Sequence, residues 1–265
     1  MGECTVEQAL MLIGPGTYQW RLFIIAGLGF TAEAIQTSLM AFLQVEALKE
    51  WPGVSKSLVV LLSTSIMVGE LVGDFIWGPL ADWIGRKPTI FISQVLLSTM
   101  GVVSAMAPSF EIFLFIRTVT GVSIGAMVVV YDNLYESMVV KEGTRLTYTV
   151  NYFWSAGSMY VSFAAMFVLP GGWRLLCVLA AVPLILAVIG NFWQEESAKW
   201  LMTHGSEKRA KEVLQKIASL DGKDVSKLTL EVPQEVKHPS YLELCKHGYC
   251  SQTCAFAVMY FLGTF

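Results

Sequence analysis

Six stretches of predominantly apolar residues, at 22–43, 58–80, 88–107, 112–136, 146–169 and 173–193, constrain this chain more than any other feature. A helix rises about 1.5 Å per residue, so about 20 residues cross the roughly 30 Å of a bilayer's hydrocarbon core. Backbone polar groups find no partner in lipid, so such stretches become helices packed into a bundle. Turn-forming clusters separate them: Trp51-Pro52-Gly53, Gly85-Arg86-Lys87-Pro88, Ala107-Pro108-Ser109, Lys141-Glu142-Gly143 and Pro170-Gly171-Gly172. The connections after the third and fifth stretches are only a few residues long, so tight antiparallel hairpins are expected there. Composition agrees. Charged residues make up 15% of the chain and hydrophobic ones 54%, against about 25% charged for a soluble domain. Intrinsic disorder and a single soluble enzyme domain are excluded. The net charge of −3 leaves no footprint for nucleic acid, and five cysteines make no disulfide scaffold.

Positive charge orients the bundle. With the N-terminus in the cytoplasm, Arg21, Arg86, Lys87, Lys141, Arg145 and the nine lysines and arginines from Lys199 to Lys246 fall on the cytoplasmic side. Lys49, Lys56 and Arg174 fall outside, and Arg117 lies within the fourth span. The first 13 residues lack a basic n-region and a small-residue cleavage site, so the first span is expected to serve as the insertion signal.

The chain divides into a cytoplasmic N-terminus (1–20), a six-span bundle (21–193), a cytoplasmic linker (194–250) and an apolar end (251–265). In the linker, Ala210, Val213, Leu214, Ile217 and Ala218 follow helical spacing opposite Lys208, Arg209, Lys211, Glu212, Gln215 and Lys216. Ser206 is placed as its N-cap and Asp221-Gly222 as its stop. Such a helix lies at the membrane face or against the bundle. The last 15 residues reach only roughly 22 Å as a helix and are read as a seventh span cut in mid-membrane. Cys245, Cys250 and Cys254 with His247 match no common zinc spacing, so no metal is expected. His204, His238 and His247 offer no Ser/His/Asp set, and no phosphate-binding loop exists, so neither a hydrolase, an ATP-driven pump nor a cofactor enzyme is supported.

Between the second and third spans the chain reads Gly78-Pro-Leu-Ala-Asp82-Trp-Ile-Gly85-Arg86-Lys87. This resembles the signature of the major facilitator superfamily. Gly78 suits close helix approach, Gly85 a positive φ, and Asp82 an arginine or helix N-terminus. Arg117-Thr-Val-Thr-Gly121 followed by Gly125 resembles the family's fourth helix, and Gly172-Trp173-Arg174 the start of its sixth. Glu136 with Arg145 resembles the family's carboxylate and arginine at the cytoplasmic ends of spans 4 and 5, without the usual proline. Glu195-Glu196-Ser197-Ala198-Lys199-Trp200-Leu201 is similar to the Pro-Glu-Ser-Pro-Arg-Trp-Leu segment of sugar porters and organic-ion relatives, with both prolines replaced and arginine become lysine. Ala32-Glu33-Ala34-Ile35-Gln36 resembles the Asp-Ala-Met-Glu segment of synaptic-vesicle-two-related transporters, where Glu70 and Asp74 are departures. The resemblance covers the N-terminal half of a twelve-span fold.

An ionisable side chain at mid-bilayer costs about 2.5–3.5 kcal/mol on insertion scales, so each needs a reason. Glu33 and Glu70 fall near the midplane, where transporters of this architecture bind solute. Each is read as a proton-binding or cation-pairing carboxylate, or as one hydrogen-bonded to neighbouring helices only. Asp74 and Asp132 lie lower and suit either gate salt bridges to Arg86 or Arg145 or a transport role. Arg117 either pairs with Glu33 or Glu70 or snorkels outward. Asn151 and Trp154 line a cavity or pack. Gly69/Gly73 and Gly121/Gly125 have the spacing of close helix contacts.

The resemblance implies a secondary transporter of a small organic solute (organic ion, sugar or carboxylate), with alternating access and proton-coupled symport. Glu33, Gln36, Glu70, Arg117, Asp132, Asn151 and Trp154 become the solute and proton candidates. Gly78, Asp82, Gly85, Arg86, Lys87, Glu136, Arg145, Glu196 and Lys199 become the cytoplasmic gate. The expected partners are the bilayer, solute, protons, and a C-terminal six-helix half or a second copy. The plasma membrane and a vesicle membrane fit equally. The rival class is a non-transporting scaffold built on half of a transporter fold, and a third reading is a functional homodimer of halves.

Overall fold

A computed structural model of the chain describes residues 3–138, 145–146, 148–225, 229–230, 250–252, 255 and 258–259. Six helices are long and apolar enough to cross a membrane: span 1 (Thr17–Glu50), span 2 (Lys56–Ile84), span 3 (Arg86–Met106), span 4 (Phe110–Glu136), span 5 (Asn151–Gly171) and span 6 (Trp173–Trp193). They match the six expected stretches to within a few residues, except that span 5 begins at Asn151 where Leu146 was expected. Ser55 and Ser109 accept hydrogen bonds from the amides of Leu58 (3.3 Å) and Ile112 (3.4 Å), each satisfying an orphan donor at a helix start. Spans 2 and 3 join through Gly85 at φ +108°, and spans 5 and 6 through Gly172 at φ +116°. Side chains avoid that region, which is why glycine stands at both turns.

Two spans are interrupted, each for a local reason. Span 6 breaks at Ala181, two residues before Pro183. Proline has no amide to offer the carbonyl four residues earlier. That carbonyl, of Leu179, accepts the Tyr160 hydroxyl of span 5 at 3.0 Å instead. Span 4 breaks at Gly125–Ala126, where it lies backbone to backbone against span 2. Spans 1 and 4 are mostly buried, whereas spans 2 and 5 expose most of their surface. The bundle therefore has a centre made of spans 1 and 4 and an open side made of spans 2 and 5.

Apolar packing collects at the two ends. Near Trp51, the rings of Trp51, Phe110, Phe113 and Trp173 meet at centroid distances of 5.2 to 5.9 Å, and Arg174 pairs with Glu50 at 2.7 Å. At the Gly85 end the residues outside the spans join the core. The N-terminal segment, for which the sequence suggested no element, holds a helix (Val6–Ile13) closed by a capping box between Thr5 and Gln8. The amphipathic helix forms at Glu207–Ser219, and its Ala210, Leu214, Ile217 and Ala218 are buried in one cluster with Val6, Ala9, Leu10 and Ile13. Burying Leu214 and Ile217 contributes about 1.5–3 kcal/mol each. Ser206 precedes it as expected but makes no side-chain cap bond. A two-residue parallel pairing, Glu3–Cys4 with Thr229–Leu230, is a β element that the helical periodicity did not announce.

The Asp221 expected to end that helix also caps the start of span 1. It accepts the Thr17 amide (3.0 and 3.1 Å) and the Thr17 hydroxyl (2.7 Å) at the start of span 1. The Thr17 backbone bond, aided by its hydroxyl, holds the Asp221 carboxyl below its ordinary range. A depressed carboxyl stabilises above its unfolded value, about 3.9, and that stabilisation is lost as pH falls through the lower folded value. Exchange protection of the Thr17 amide is therefore expected to hold at neutral pH and fall below about pH 4, with no such fall in Asp221→Asn.

Residues 233–265 form a second unit. Of the expected seventh span, Ser251, Gln252, Ala255, Val258 and Met259 are described, and all are helical. Cys245, His247, Cys254, His238 and the Lys141-Glu142-Gly143 turn lie outside the described residues.

Candidate functional site

Glu33 stands at the midpoint of span 1 and Glu70 at the midpoint of span 2, with Asp74 one turn further on. Glu70 and Asp74 are within electrostatic reach of Glu33 and of each other. Glu33 and Glu70 are half-buried and Asp74 is exposed. Glu33 Oε2 is fully buried and has no hydrogen-bond partner. The reading of Glu33 as a carboxylate satisfied only by neighbouring helices therefore does not hold for this oxygen.

The position of the two span 2 acids is set by the glycines beside them. A Cβ on Gly69 would collide with Thr118 O and one on Gly73 with Val122 O. From the other side, a Cβ on Gly121 would strike Ile66 O, and one on Gly125 would lie 2.6 Å from Asp74 N and 2.7 Å from Glu70 O. Trp77 adds a bond from its indole N–H to Val122 O at 2.6 Å. The glycine spacing thus forms the expected close contact. Gly78 does not: a Cβ there would meet open space, so its expected part in close helix approach is corrected.

Span 4 brings Tyr131 to the same face. It is within electrostatic reach of Glu33, its ring meets Phe30 edge-on at 4.3 Å, and its hydroxyl donates to Asn151 Oδ1 at 3.0 Å. Asn151 sits at the start of span 5 near a cavity of about 420 Å³ lined also by Arg145, Tyr148, Thr149, Tyr152 and Ser155. Trp154 is 38% exposed on span 5 and is absent from that lining. Tyr131 was missed in the sequence because an aromatic in a membrane helix carries no charge to flag it.

Arg117 takes neither expected role. It is fully buried, with Nη1 donating to Gln36 Oε1 at 2.8 Å, and Nη2 to Ser104 Oγ and to Cys177 Sγ at 3.7 Å. Its guanidinium lies 5.2 Å from the Phe113 ring centroid. It therefore ties span 4 to spans 1, 3 and 6 through neutral acceptors, with no carboxylate among them. Hydrogen bonds to a charged group contribute about 1.5–3 kcal/mol each, which offsets the several kcal/mol of burying the charge. Gln36 is drawn into this clamp and away from the acidic face.

The signature segment assembles a second constellation at the Gly85 end. Arg86 pairs with Asp82 at 2.5 Å and Glu136 at 3.3 Å, so span 2 is linked to span 4. Glu196 Oε1 accepts the amides of Arg86 (2.9 Å), Lys87 (3.2 Å) and Ser197 (3.0 Å), capping the start of span 3. Ser197 Oγ donates to Glu136 Oε2 at 2.6 Å, and Trp200 Nε1 to Asp82 O at 2.9 Å. The segment after span 6 thus closes a ring through spans 2, 3 and 4. Asp74 and Asp132 form no ion pair with Arg86, whose Nη1 and Nη2 are taken by Asp82 and Glu136; Asp132 stays within electrostatic reach only. Among the described residues Arg145 makes none of the ion pairs, whether with Asp74, Asp132 or any other acid, while Glu136 pairs with Arg86, and Lys199 is exposed. Ser197 was the missed member. Gly85→Ala is expected to lose roughly 1–2 kcal/mol or more, since its φ is positive and its Cβ would strike Glu196 Oε2. Thermal unfolding in detergent measures this.

Residues 16–264 match the family model described as sugar (and other) transporter. The chain is similar to the synaptic vesicle 2-related protein of Bos taurus, 32% identical over 218 residues, 82% of this chain and 40% of that protein. It is also similar to the putative transporter svop-1 of Caenorhabditis elegans, 30% identical over 218 residues, 82% of this chain and 42% of that protein. The chain thus spans less than half the length of these relatives. Among solved structures, the major facilitator proton:xylose symporter XylE bound to 6-bromo-6-deoxy-D-glucose superposes with a TM-score of 0.68 at 20% identity, over 76% of this chain and 50% of that one. That likeness carries the fold. With six spans in this arrangement and the family model covering nearly all of its length, the chain belongs to the sugar (and other) transporter family and is a multi-pass membrane protein.

Proposed function

We propose that the chain supplies one six-helix bundle of a proton-coupled secondary transporter for a small organic solute, with Glu33 as its proton carrier. The observation that carries this reading is the unpartnered, buried Oε2 of Glu33 at mid-depth, beside Glu70 and Asp74. Acids at that depth do not face lipid, where each would cost about 2.5–3.5 kcal/mol. Spans 3 and 6 instead turn mainly apolar side chains outward, among them Ile92, Val95, Val178, Val182, Ile185 and Ile189, with no acid between Lys87 and Glu195 on either span. The acidic face of spans 1, 2, 4 and 5 therefore borders water, solute or protein. A second bundle, the C-terminal half of a longer transporter or another copy, would close the cavity over it, and rocking of the two would alternate access.

The ring of Asp82, Arg86, Glu136, Glu196 and Ser197 would hold the Gly85 end in one state and part in the other. The bias of lysine and arginine toward that end supports placing it in the cytoplasm. The test is proteoliposome uptake of a labelled panel (a pentose, an organic cation, an aromatic carboxylate) with and without an imposed pH gradient. Gradient-stimulated uptake of one class supports the reading. No uptake of any class under either condition favours the scaffold.

A further inference from the structure

One stripe of span 1 carries polar atoms that the bundle leaves without partners. Gly29, Glu33 and Gln36 follow i, i+4, i+7 spacing and so share a helix face. That face meets span 3: a Cβ on Gly29 would lie 3.3 Å from Gln94 Nε2, and one on Gly101 3.0 Å from Gln36 Nε2. Glu33 therefore stands one turn from each amide, about 5–6 Å along the axis. Glu33 Oε2, Gln36 Nε2 and Gln94 Nε2 are all fully buried and make no hydrogen bond. The row continues toward the Gly85 end. Gln94 Oε1 accepts Asn191 Nδ2 of span 6, whose own Oδ1 is unpartnered, as is Nε2 of Gln194 three residues on. Gln94, Asn191 and Gln194 are 3%, 1% and 2% exposed, so bulk water does not reach them. Next in the chain, Glu195 reaches the surface and pairs with Lys216 at 2.5 Å. Toward the Trp51 end the row stops differently. There Gln36 Oε1 takes Arg117 Nη1 at 2.8 Å, and the buried guanidinium has no carboxylate among its acceptors.

Buried polar groups that find no protein partner hold ordered water, and such a water bonds two to four polar neighbours. In this row acceptors and donors alternate, with Oε2 of Glu33, Nε2 of Gln94 and Oδ1 of Asn191 in sequence. Water, which both donates and accepts, can join them in file. Resting on the reading of Glu33 as proton carrier, we infer that the bundle holds an internal water file from Glu33 past Gln94 and Asn191 to the Gly85 end. Glu33 discharges its proton along this file, away from the solute face. In that step the O–H bond of protonated Glu33 breaks and its proton passes to the first water. Each water hands one proton on, one proton emerges beside Gln194, and Glu33 is left a carboxylate. Nothing is oxidised or reduced. Gln94 and Asn191 act as positioning residues, because a neutral amide orients water without trapping the proton. Arg117 closes the opposite end, since a fixed arginine charge repels a migrating proton, as in water-selective pores. The titratable groups within electrostatic reach of Glu33, which are Glu70 and Asp74 on span 2 and Tyr131 on span 4, take no part in the file. Solute and proton therefore leave by separate routes, one over the open face and one through the interior.

The test follows the carboxyl stretch of Glu33 by infrared spectroscopy after a pH jump, in uniformly oriented proteoliposomes of the full chain. The band is assigned by its loss in Glu33→Gln. In the parent, a jump on the Gly85 side is expected to move the band faster than one on the Trp51 side. In the double variant Gln94→Leu/Asn191→Leu the Gly85-side rate should fall about tenfold or more, with the Trp51-side rate unchanged. Replacing both amides together leaves neither one orphaned by the other, and an unchanged unfolding midpoint excludes misfolding. Asn191→Ser, which keeps a hydrogen-bonding group, should keep the parent rate. A titrating Glu33 band with equal rates from the two sides in the parent overturns the file and leaves Glu33 as carrier. A double variant as fast as the parent, or slowed equally from both sides, does the same. Absence of any titrating Glu33 band overturns the file and the carrier together.

Discussion

Gly121→Val is expected to destroy the bundle, with a loss of at least about 3 kcal/mol and of the monodisperse species in detergent. Overpacking a well-packed contact costs about 1–3 kcal/mol when side chains can shift. Here they cannot. The first added carbon would already strike Ile66 O and lie 2.8 Å from Ile66 C and 2.9 Å from Ile66 Cα, all backbone atoms of span 2. Opening the helices to admit it would also break the approach of Gly69 to Val122 N and of Gly73 to Gly125 Cα. In a membrane the apolar driving force between helices is absent, so close backbone packing bears much of the stability. Gly78→Ala, on the same span but facing open space, is the internal control and should change stability by less than about 0.5 kcal/mol. Unfolding midpoints of the two variants decide the matter.

The second large effect concerns Glu33. In Glu33→Gln, solute movement driven by a pH gradient is expected to fall to the level of empty vesicles, while the variant keeps the unfolding midpoint of the parent. The amide preserves shape and can hydrogen-bond, but it neither takes up nor releases a proton. Because Glu33 Oε2 has no partner in the bundle, the substitution breaks no hydrogen bond at that atom. Unchanged gradient-driven uptake would remove Glu33 from the coupling step. A fall in stability equal to that of the glycine variant would assign it a packing role.

Much of this was legible in the sequence because lipid leaves the backbone few choices. The six spans, the glycine pairs four residues apart and the positive φ at Gly85 follow from helix length, helix period and the absent Cβ. The mid-depth acids were visible as charges where charge is costly. The signature also located Asp82, Arg86, Glu136 and Glu196 at one end.

What periodicity does not encode is which partner each face meets. Arg117 and Glu33 are both charges in the membrane, yet only packing decides that Arg117 turns inward to Gln36 and Ser104 while Glu33 stays half-buried with Oε2 unpartnered. The Gly78 of the signature carries no close contact, whereas Gly69 and Gly73, outside the signature, do. Glu136 pairs with Arg86, a contact invisible without the distance between the start of span 3 and the end of span 4. The helix at Val6–Ile13 escaped notice because eight residues are too few to show a period, and its apolar face has meaning only against Leu214 and Ile217.

The central claim is that the face bearing Glu33, Glu70 and Asp74 borders an aqueous, solute-holding space. In a background freed of native cysteines, Asp74→Cys and Ile185→Cys can be challenged in intact proteoliposomes with a charged, membrane-impermeant thiol reagent. Asp74 and Ile185 are both exposed on the bundle surface, so exposure alone does not separate them. The account predicts rapid modification at position 74 and none at position 185. Equal silence at both positions would place the acidic face against lipid or a dry interface and contradict it.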